Sequence, residues 1–281
     1  MRRCRVHILR AGACSHPEVM TRRDGSLKPV VFPALAALIL HPEEGAILFD
    51  TGYDPAFFAA TRSWPEVLYH WATPVELPFG QAVVDQLPRF GVKPENVTAV
   101  VVSHFHGDHV AGLHRFPNAR VFCARAGLER VRRGGRFGRV RQGILAGLVP
   151  DDVDARADFF EDQPQVALGP DLSPFETGVD LLGDGSLLAV HLPGHCPGHW
   201  GLVVREADDR TRFLIADAAW SSGQVRDDMP PPRLTTALLG DTGPYRSTLN
   251  ALHRLWARNP ELVLTPSHCG EVQTDTPRGD G

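Results

Sequence analysis

Val97-Thr98-Ala99-Val100-Val101-Val102-Ser103-His104-Phe105-His106-Gly107-Asp108-His109 is the stretch whose reading decides the fold. Its first six residues are dominated by valine, and a short continuous apolar run of this kind reads as a buried strand. The histidines begin where that strand must end, so three imidazoles and a carboxylate gather at a strand's C-terminal mouth. Imidazole and carboxylate together suit Zn²⁺ and, less selectively, iron or manganese. In such a loop His104 and His106 turn toward one ion while Asp108 and His109 face a neighbour, with Gly107 relaxing the turn between them. The spacing predicts two metals. A histidine-rich surface loop is the blander alternative.

The pattern His104-x-His106-x-Asp108-His109 resembles the signature of the metallo-β-lactamase superfamily. The resemblance extends to Ile47-Leu48-Phe49-Asp50-Thr51-Gly52, to His195 in Leu192-Pro193-Gly194-His195-Cys196-Pro197-Gly198-His199, to Asp217 after Phe213-Leu214-Ile215-Ala216, and to His268 after Val263-Leu264-Thr265-Pro266-Ser267. It implies an α/β sandwich of αββα type, with two mixed sheets face to face, helices on both outer faces and the metals along one edge. It also implies that His104, His106 and His195 hold one ion, that Asp108, His109 and His268 hold the other, and that Asp217 bridges them. Two Zn²⁺ are expected, with Mn²⁺, Fe²⁺ or Co²⁺ as substitutes. Asp108 and Asp217 are the expected catalytic carboxylates, and Asp50 is expected beside the metals, although an Asx turn with Thr51-Gly52 explains it equally well.

Read outward from this centre, the chain of 281 residues fits one layered domain, 1–281, with 43% hydrophobic and 22% charged residues. A net charge of −4 offers no field for nucleic acid. Cys4, Cys14, Cys123, Cys196 and Cys269 include no C-x-x-C pair, and no apolar run approaches the roughly 18 residues of a membrane span. A cytoplasmic protein with no membrane partner is expected. Homo-oligomer formation stays open.

Residues 4–10 read as a first strand, 11–33 as loop, and 34–49 as a hairpin turning at His41 to Gly45. Asp54 caps a short helix to Thr61, Gln81 to Phe90 forms another that Gly91 stops, and Val110 to Arg115 forms a third. Trp64, Tyr69, His70 and Trp71 read either as packed loop aromatics or as a wall over the site. The segment 124–178 reads as a helical and loop insertion near the site. Seven arginines lie between Arg125 and Arg141 and six acids between Asp151 and Asp162; they read as solvated faces that pair, or as a lid whose arginine meets a substrate carboxylate. Further strands are expected at 187–191, 201–205, 212–216 and 261–264, and 218–240 shows no period. Tyr245, Leu249, Leu252 and Trp256 mark an amphipathic helix, and the tail 274–281 is expected to fray.

Within the superfamily the chain is most similar to the N-acyl homoserine lactonase-like group. That resemblance implies a bridged hydroxide attacking a lactone or carboxylic ester carbonyl, so a small-molecule ester or lactone is the expected partner. No serine nucleophile is needed: Ser103, Ser221 and Ser222 lack a G-x-S-x-G context. A phosphotriesterase or aryl-ester hydrolase and a glyoxalase II-type thioester hydrolase share the ligands. A di-iron oxidoreductase typically has a carboxylate where this chain has His106, and a non-catalytic metal-binding protein usually loses ligands. One departure is Trp220, which stands three residues after Asp217, where those lactonases typically carry a tyrosine. His199 is expected in support or packing; Cys196 and Cys269 each follow a candidate ligand and read as packing residues or as thiolate ligands.

Overall fold

The computed structural model describes residues 2–275. In chain order it contains β1 (Arg5–Pro17), β2 (Pro29–His41), β3 (Gly45–Phe49), α1 (Pro55–Ala60), α2 (Val67–Ala72), β4 (Val75–Glu76), α3 (Val83–Gln86) and β5 (Val97–Val101). There follow α4 (Gly107–Val110), β6 (Arg120–Cys123), α5 (Arg125–Arg133), α6 (Arg136–Arg141), α7 (Val153–Arg156), β7 (Ala157–Phe159), β8 (Gln165–Ala167), β9 (Thr177–Asp180) and β10 (Leu187–His191). The chain continues through β11 (Trp200–Arg205), β12 (Thr211–Ala216), α8 (Ser222–Arg226), α9 (Arg233–Leu239), α10 (Thr242–Arg258) and β13 (Val263–Pro266).

Two mixed sheets result, in the orders β4-β1-β2-β3-β5-β6-β7 and β13-β12-β11-β10-β9-β8. The central strands are apolar on both faces because each face meets a different layer. In β3, Ile47 and Phe49 point into the core between the sheets, while Ala46 and Leu48 meet the outer helices. In β12, Leu214 and Ala216 point inward and Phe213 and Ile215 outward against Leu249, Leu252 and Leu255 of α10. The three cores this produces define the helix–sheet–sheet–helix layering of the expected αββα sandwich.

β3, β5 and β6 run parallel, as do β12 and β13, and β10 and β12 flank β11 antiparallel to it. The C-terminal ends of β3, β5, β10, β12 and β13 are followed by Asp50, His104, His195, Asp217 and His268 respectively. Backbone bonds join the sheets beside these residues: Trp200 N–H donates to Ser103 O at 3.0 Å, and Leu35 N–H to Ser267 O at 2.9 Å.

Several expectations need correction. Residues 11–33 are mostly strand: β1 continues past a bulge between Arg10 and Ala13, and Cys14 to Pro17 pair with Pro29 to Phe32 in a hairpin arm. Gly12, Pro17 and Pro29 punctuate the arm as they would a loop, but the backbone ladder carries both strands through it. The insertion 124–178 carries strands as well as helices, β7 and β8 forming an edge of each sheet. Asp108 and His109 lie within α4, and the expected helix over Val110 to Arg115 reduces to the end of α4 plus a 3₁₀ turn, Leu113–Arg115. The segment 218–240 contains α8 and α9, each too short to show a period. β13 begins two residues later than expected, its register set by pairing of Val263 with Arg212. In α10 the buried stripe ends on Leu255 rather than Trp256, which is 39% exposed. Of the expected frayed tail, 276–281 lie outside the described residues, and Asp275 N–H donates to Ile8 O at 2.8 Å.

Candidate metal centre

His104, His106, Asp108, His109, His195, Asp217 and His268 come from four separate strand ends and converge on one buried cluster. Their donor atoms form overlapping groups in which all atoms lie within 4.8 Å of one another: His104, His106, His195 and Cys196; His104, His109 and Asp217; Asp108, His109 and His268. Asp217 sits between the first group and the last. Its Oδ1 lies 3.3 Å from His109 Nε2, and its Oδ2 lies 3.2 Å from His268 Nε2 and 3.3 Å from His195 Nε2. Asp108 Oδ2 lies 3.3 Å from His268 Nε2 and 3.7 Å from His109 Nε2.

The proton positions follow from the outer partners. Asp50 accepts from Ser103 N–H at 2.8 Å, from Ser103 Oγ–H at 2.7 Å and from His109 Nδ1–H at 2.7 Å. A carboxylate only accepts, so the serine proton goes to Asp50 and the His104 Nδ1–H donates to Ser103 Oγ at 2.9 Å. The carbonyl of Pro33 likewise fixes a proton on His268 Nδ1 at 2.8 Å. Each of these three rings therefore turns an Nε2 lone pair inward, the arrangement that outer partners impose on metal-binding histidines. Asp50 holds a positive φ of 58°, a region that Asp tolerates better than most residues.

Several of the inward atoms are left without partners. Nε2 of His104 and His109 and Oδ1 of Asp217 are buried and make no hydrogen bond among the described residues. Unpaired buried polar atoms are costly, and a divalent cation satisfies several at once. His106 Nδ1 and His195 Nε2 face each other at 3.0 Å, which also suits two donors on one ion. Burial, reinforced by neighbouring imidazoles, holds His104 well below its usual pKa; burial also lowers His106 to about 4 and holds His195 well down. Neutral imidazole is the form that ligates. Burial opposes ionisation of Asp217, yet the facing imidazoles of His268, His109 and His195 hold its carboxyl well below the usual range. Imidazoles plus two carboxylates are a donor set for Zn²⁺-type ions, so the residues fit the metals that the motifs imply.

His199 stands apart from these groups. Its Nδ1–H donates to Leu192 O at 3.0 Å, and its Nε2 accepts from Asp217 N–H at 3.1 Å, so both nitrogens are spent holding the backbone of Asp217. Cys196 lies within the first donor group, whereas Cys269 Sγ is engaged by Ser222 N at 3.3 Å and by Ser222 Oγ at 3.2 Å. Burial pushes the Cys196 thiol well above its ordinary pKa. Gly194 is required by close approach: its φ is 125°, and a Cβ there would fall 2.1 Å from Tyr245 N at the start of α10.

A cavity of about 550 Å³ opens over the cluster, reaching His106, Asp108, His195, Asp217 and His268 at its floor. Trp220 forms part of the wall, its ring 4.9 Å from His268 and edge-on to Phe32 at 5.4 Å. Of the aromatic run 64–71, Tyr69 reaches the cavity, while Trp64 packs on Phe137 at 5.9 Å and Trp71 is 68% exposed. Sequence reasoning missed Cys14, His16, Tyr53, Gly143, Thr235, Leu238 and Leu239 as lining residues. The first two lie on the hairpin arm misread as loop, and the α9 residues carry no period to mark them.

The sequence pattern that defines the Metallo-beta-lactamase superfamily matches residues 30–268. The chain is similar to the N-acyl homoserine lactonase AttM of Azorhizobium caulinodans, at 29% identity over 247 residues, covering 83% of each protein. It is 33% identical over 145 residues to the AttM of Rhizobium radiobacter, where the match covers 50% of this chain and only about half, 48%, of the relative. In three dimensions it is similar to a solved N-acyl homoserine lactone hydrolase that carries the product N-hexanoyl-L-homoserine at its catalytic metal centre, with a TM-score of 0.73 and 18% identity over 96% of this chain and 95% of that one. At that identity the likeness concerns the fold. The matched segment contains every strand end that supplies the cluster, and the chain belongs to the metallo-β-lactamase superfamily.

Proposed function

We propose that the chain is a dinuclear-metal hydrolase acting on lactones or other carboxylic esters. His104, His106 and His195 would hold one divalent cation and Asp108, His109 and His268 a second, with Asp217 shared between them. Zn²⁺ is the proposed metal, and Mn²⁺, Fe²⁺ and Co²⁺ suit the same donors. Bound cations would supply Lewis acidity toward a carbonyl oxygen and a water acidic enough to attack at neutral pH.

The chain's own groups do the positioning. Asp50, Ser103 and Pro33 keep protons on the outer nitrogens of His104, His109 and His268, which fixes the inward lone pairs. His199 fixes the backbone of Asp217. Asp108 turns Oδ2 toward His109 and His268, and its carboxylate would take the proton released by the attacking water and pass it to the departing alkoxide. The largely apolar cavity walls exclude water around the ester.

The observation that carries this reading is Asp217, one carboxylate facing imidazoles of both donor groups. The names of the relatives support a lactone as substrate. Trp220 favours a second reading: its indole offers an N–H but no phenolic hydroxyl beside the reacting carbonyl, which suits aryl esters, phosphotriesters or thioesters that need no such donor. We take 1–281 as a single catalytic domain working on a small molecule. Its setting is proposed as the cytoplasm: all five cysteines are free, and no described helix is long and apolar enough to cross a membrane.

Zinc-loaded protein assayed against N-acyl homoserine lactones, aryl esters, a phosphotriester and a glutathione thioester tests the reading. Metal-dependent cleavage of a lactone or carboxylic ester is expected. Turnover confined to the phosphotriester or the thioester moves the assignment to that class, and dioxygen chemistry with iron ends it.

A further inference from the structure

The cavity over the metal cluster has one charged wall residue that is neither a candidate ligand nor paired. Arg141, the last residue of α6, lines it. Its guanidinium makes no hydrogen bond or ion pair among the described residues. The other six arginines of 125–141 all have partners: Arg125 meets Asp162, Arg130 meets Gln142, Arg132 meets Asp154, Arg133 meets Glu129, Arg136 meets Glu66 and Arg139 meets Val131 O. The expected pairing of the basic helices with the acidic loop holds for Arg125 and Arg132 alone, the other four find partners elsewhere, and Arg141 is left over facing the site.

Its position is tied to the metal ligands. Two residues on, Gly143 turns at φ +71°, and its carbonyl accepts Gly107 N–H at 3.2 Å, the first residue of the helix that carries Asp108 and His109. A Cβ on Gly143 would stand 3.2 Å from the His106 ring, so the end of α6 is seated directly on the cluster. The cavity walls are largely apolar, including Met20, Leu68, Phe137, Val140 and Leu238. The two floor carboxylates, Asp108 and Asp217, already face imidazoles. A cleft with low-dielectric walls focuses the field of the charges that line it, and Arg141 supplies a positive one on the wall, away from the two floor carboxylates.

We propose that Arg141 is a specificity-determining residue that binds a carboxylate remote from the scissile bond, so the substrate class is an anionic ester or lactone rather than a neutral one. Guanidinium presents a fork of donors matched to a carboxylate. This inference rests on the hydrolase reading given above.

The test uses the zinc-loaded full chain and two matched esters, 4-nitrophenyl hexanoate and the 4-nitrophenyl monoester of adipic acid, which differ by one terminal carboxylate. The unmodified protein is expected to favour the anionic ester about tenfold in kcat/KM, through KM, the scale of one charge-assisted hydrogen bond. Arg141→Ala should abolish the preference while leaving kcat on the neutral ester unchanged, Arg141→Lys should restore part of it, and 0.5 M NaCl should shrink it. Equal kcat/KM for the two esters, or a loss in Arg141→Ala that is equal for both, overturns the proposal. Calorimetric binding of adipate against hexanoate reads the same contact without turnover. If neither ester is cleaved but adipate binds about tenfold more tightly and loses that margin in Arg141→Ala, the hydrolase reading fails and the anion site stands. Equal binding of the two acids overturns the site whatever the activity.

Discussion

Asp50 Oδ2 lies 2.7 Å from His109 Nδ1, and Ser103 Oγ bonds the same carboxylate at 2.7 Å, so one buried acid sets the proton positions of two metal-facing rings. Asp50→Asn keeps the side chain's shape and tolerates the positive φ of 58°. Its amide, however, has one acceptor oxygen where the carboxylate has two. Competition with a chelator should show metal affinity about 10- to 100-fold weaker, with circular dichroism unchanged. Unaltered affinity would remove Asp50 from the centre's support.

Asp217 and His199 should separate cleanly. Asp217→Ala removes the carboxylate shared by both donor groups and should lose both metal occupancy and turnover. His199→Ala leaves every candidate ligand in place but strips partners from Asp217 N–H and Leu192 O. It should keep two ions per chain by elemental analysis and lose roughly 1–3 kcal/mol of stability for each polar group left unpaired in denaturant unfolding. An emptied site in His199→Ala, with His268→Ala still fully loaded, would reassign the ligands.

Trp220 walls the cavity against His268 and Phe32. Trp220→Phe should leave kcat nearly unchanged and shift KM, because it removes binding that is uniform along the reaction. Trp220→Tyr restores a hydroxyl and should raise turnover of N-acyl homoserine lactones, by about 10²-fold if that one donor limits the rate. Flat lactone turnover beside high parental activity on an aryl ester would place the natural substrate outside the lactonase group.

Gly194→Ala tests how the His195 turn is held. A Cβ would fall 2.1 Å from Tyr245 N and 2.2 Å from Tyr245 Cα, both backbone atoms of a helix anchored in the outer core. The loss should exceed about 4 kcal/mol, at the upper end for a single substitution, measured by urea unfolding. A midpoint equal to that of the parent would mean that α10 yields easily.

The site was legible because its chemistry is local in sequence. His104, His106, Asp108 and His109 fall within six residues, and His195, Asp217 and His268 each follow a readable apolar strand. The sandwich was legible for a related reason: strands such as β3 and β12, apolar on both faces, announce layers on either side. What escaped depends on tertiary partners. The arm of β1 and β2 is punctuated by Gly12, Pro17 and Pro29 yet held by backbone pairing, so its residues read as loop. Helices α8 and α9, of five and seven residues, are too short for a period to emerge. The bonds from Asp50 to His109 and from His199 to Asp217 span 59 and 18 positions, and no pattern announces them. Arg141 is indistinguishable from its six neighbours until their partners are known.

Elemental analysis of the purified chain, read together with metal-dependent ester cleavage in the same sample, tests the central claim most directly. The account predicts close to two divalent ions per chain, loss of both ions and of activity on chelation, and recovery of both with Zn²⁺. A chain that reproducibly holds no ion, or a single iron with dioxygen chemistry, would contradict it.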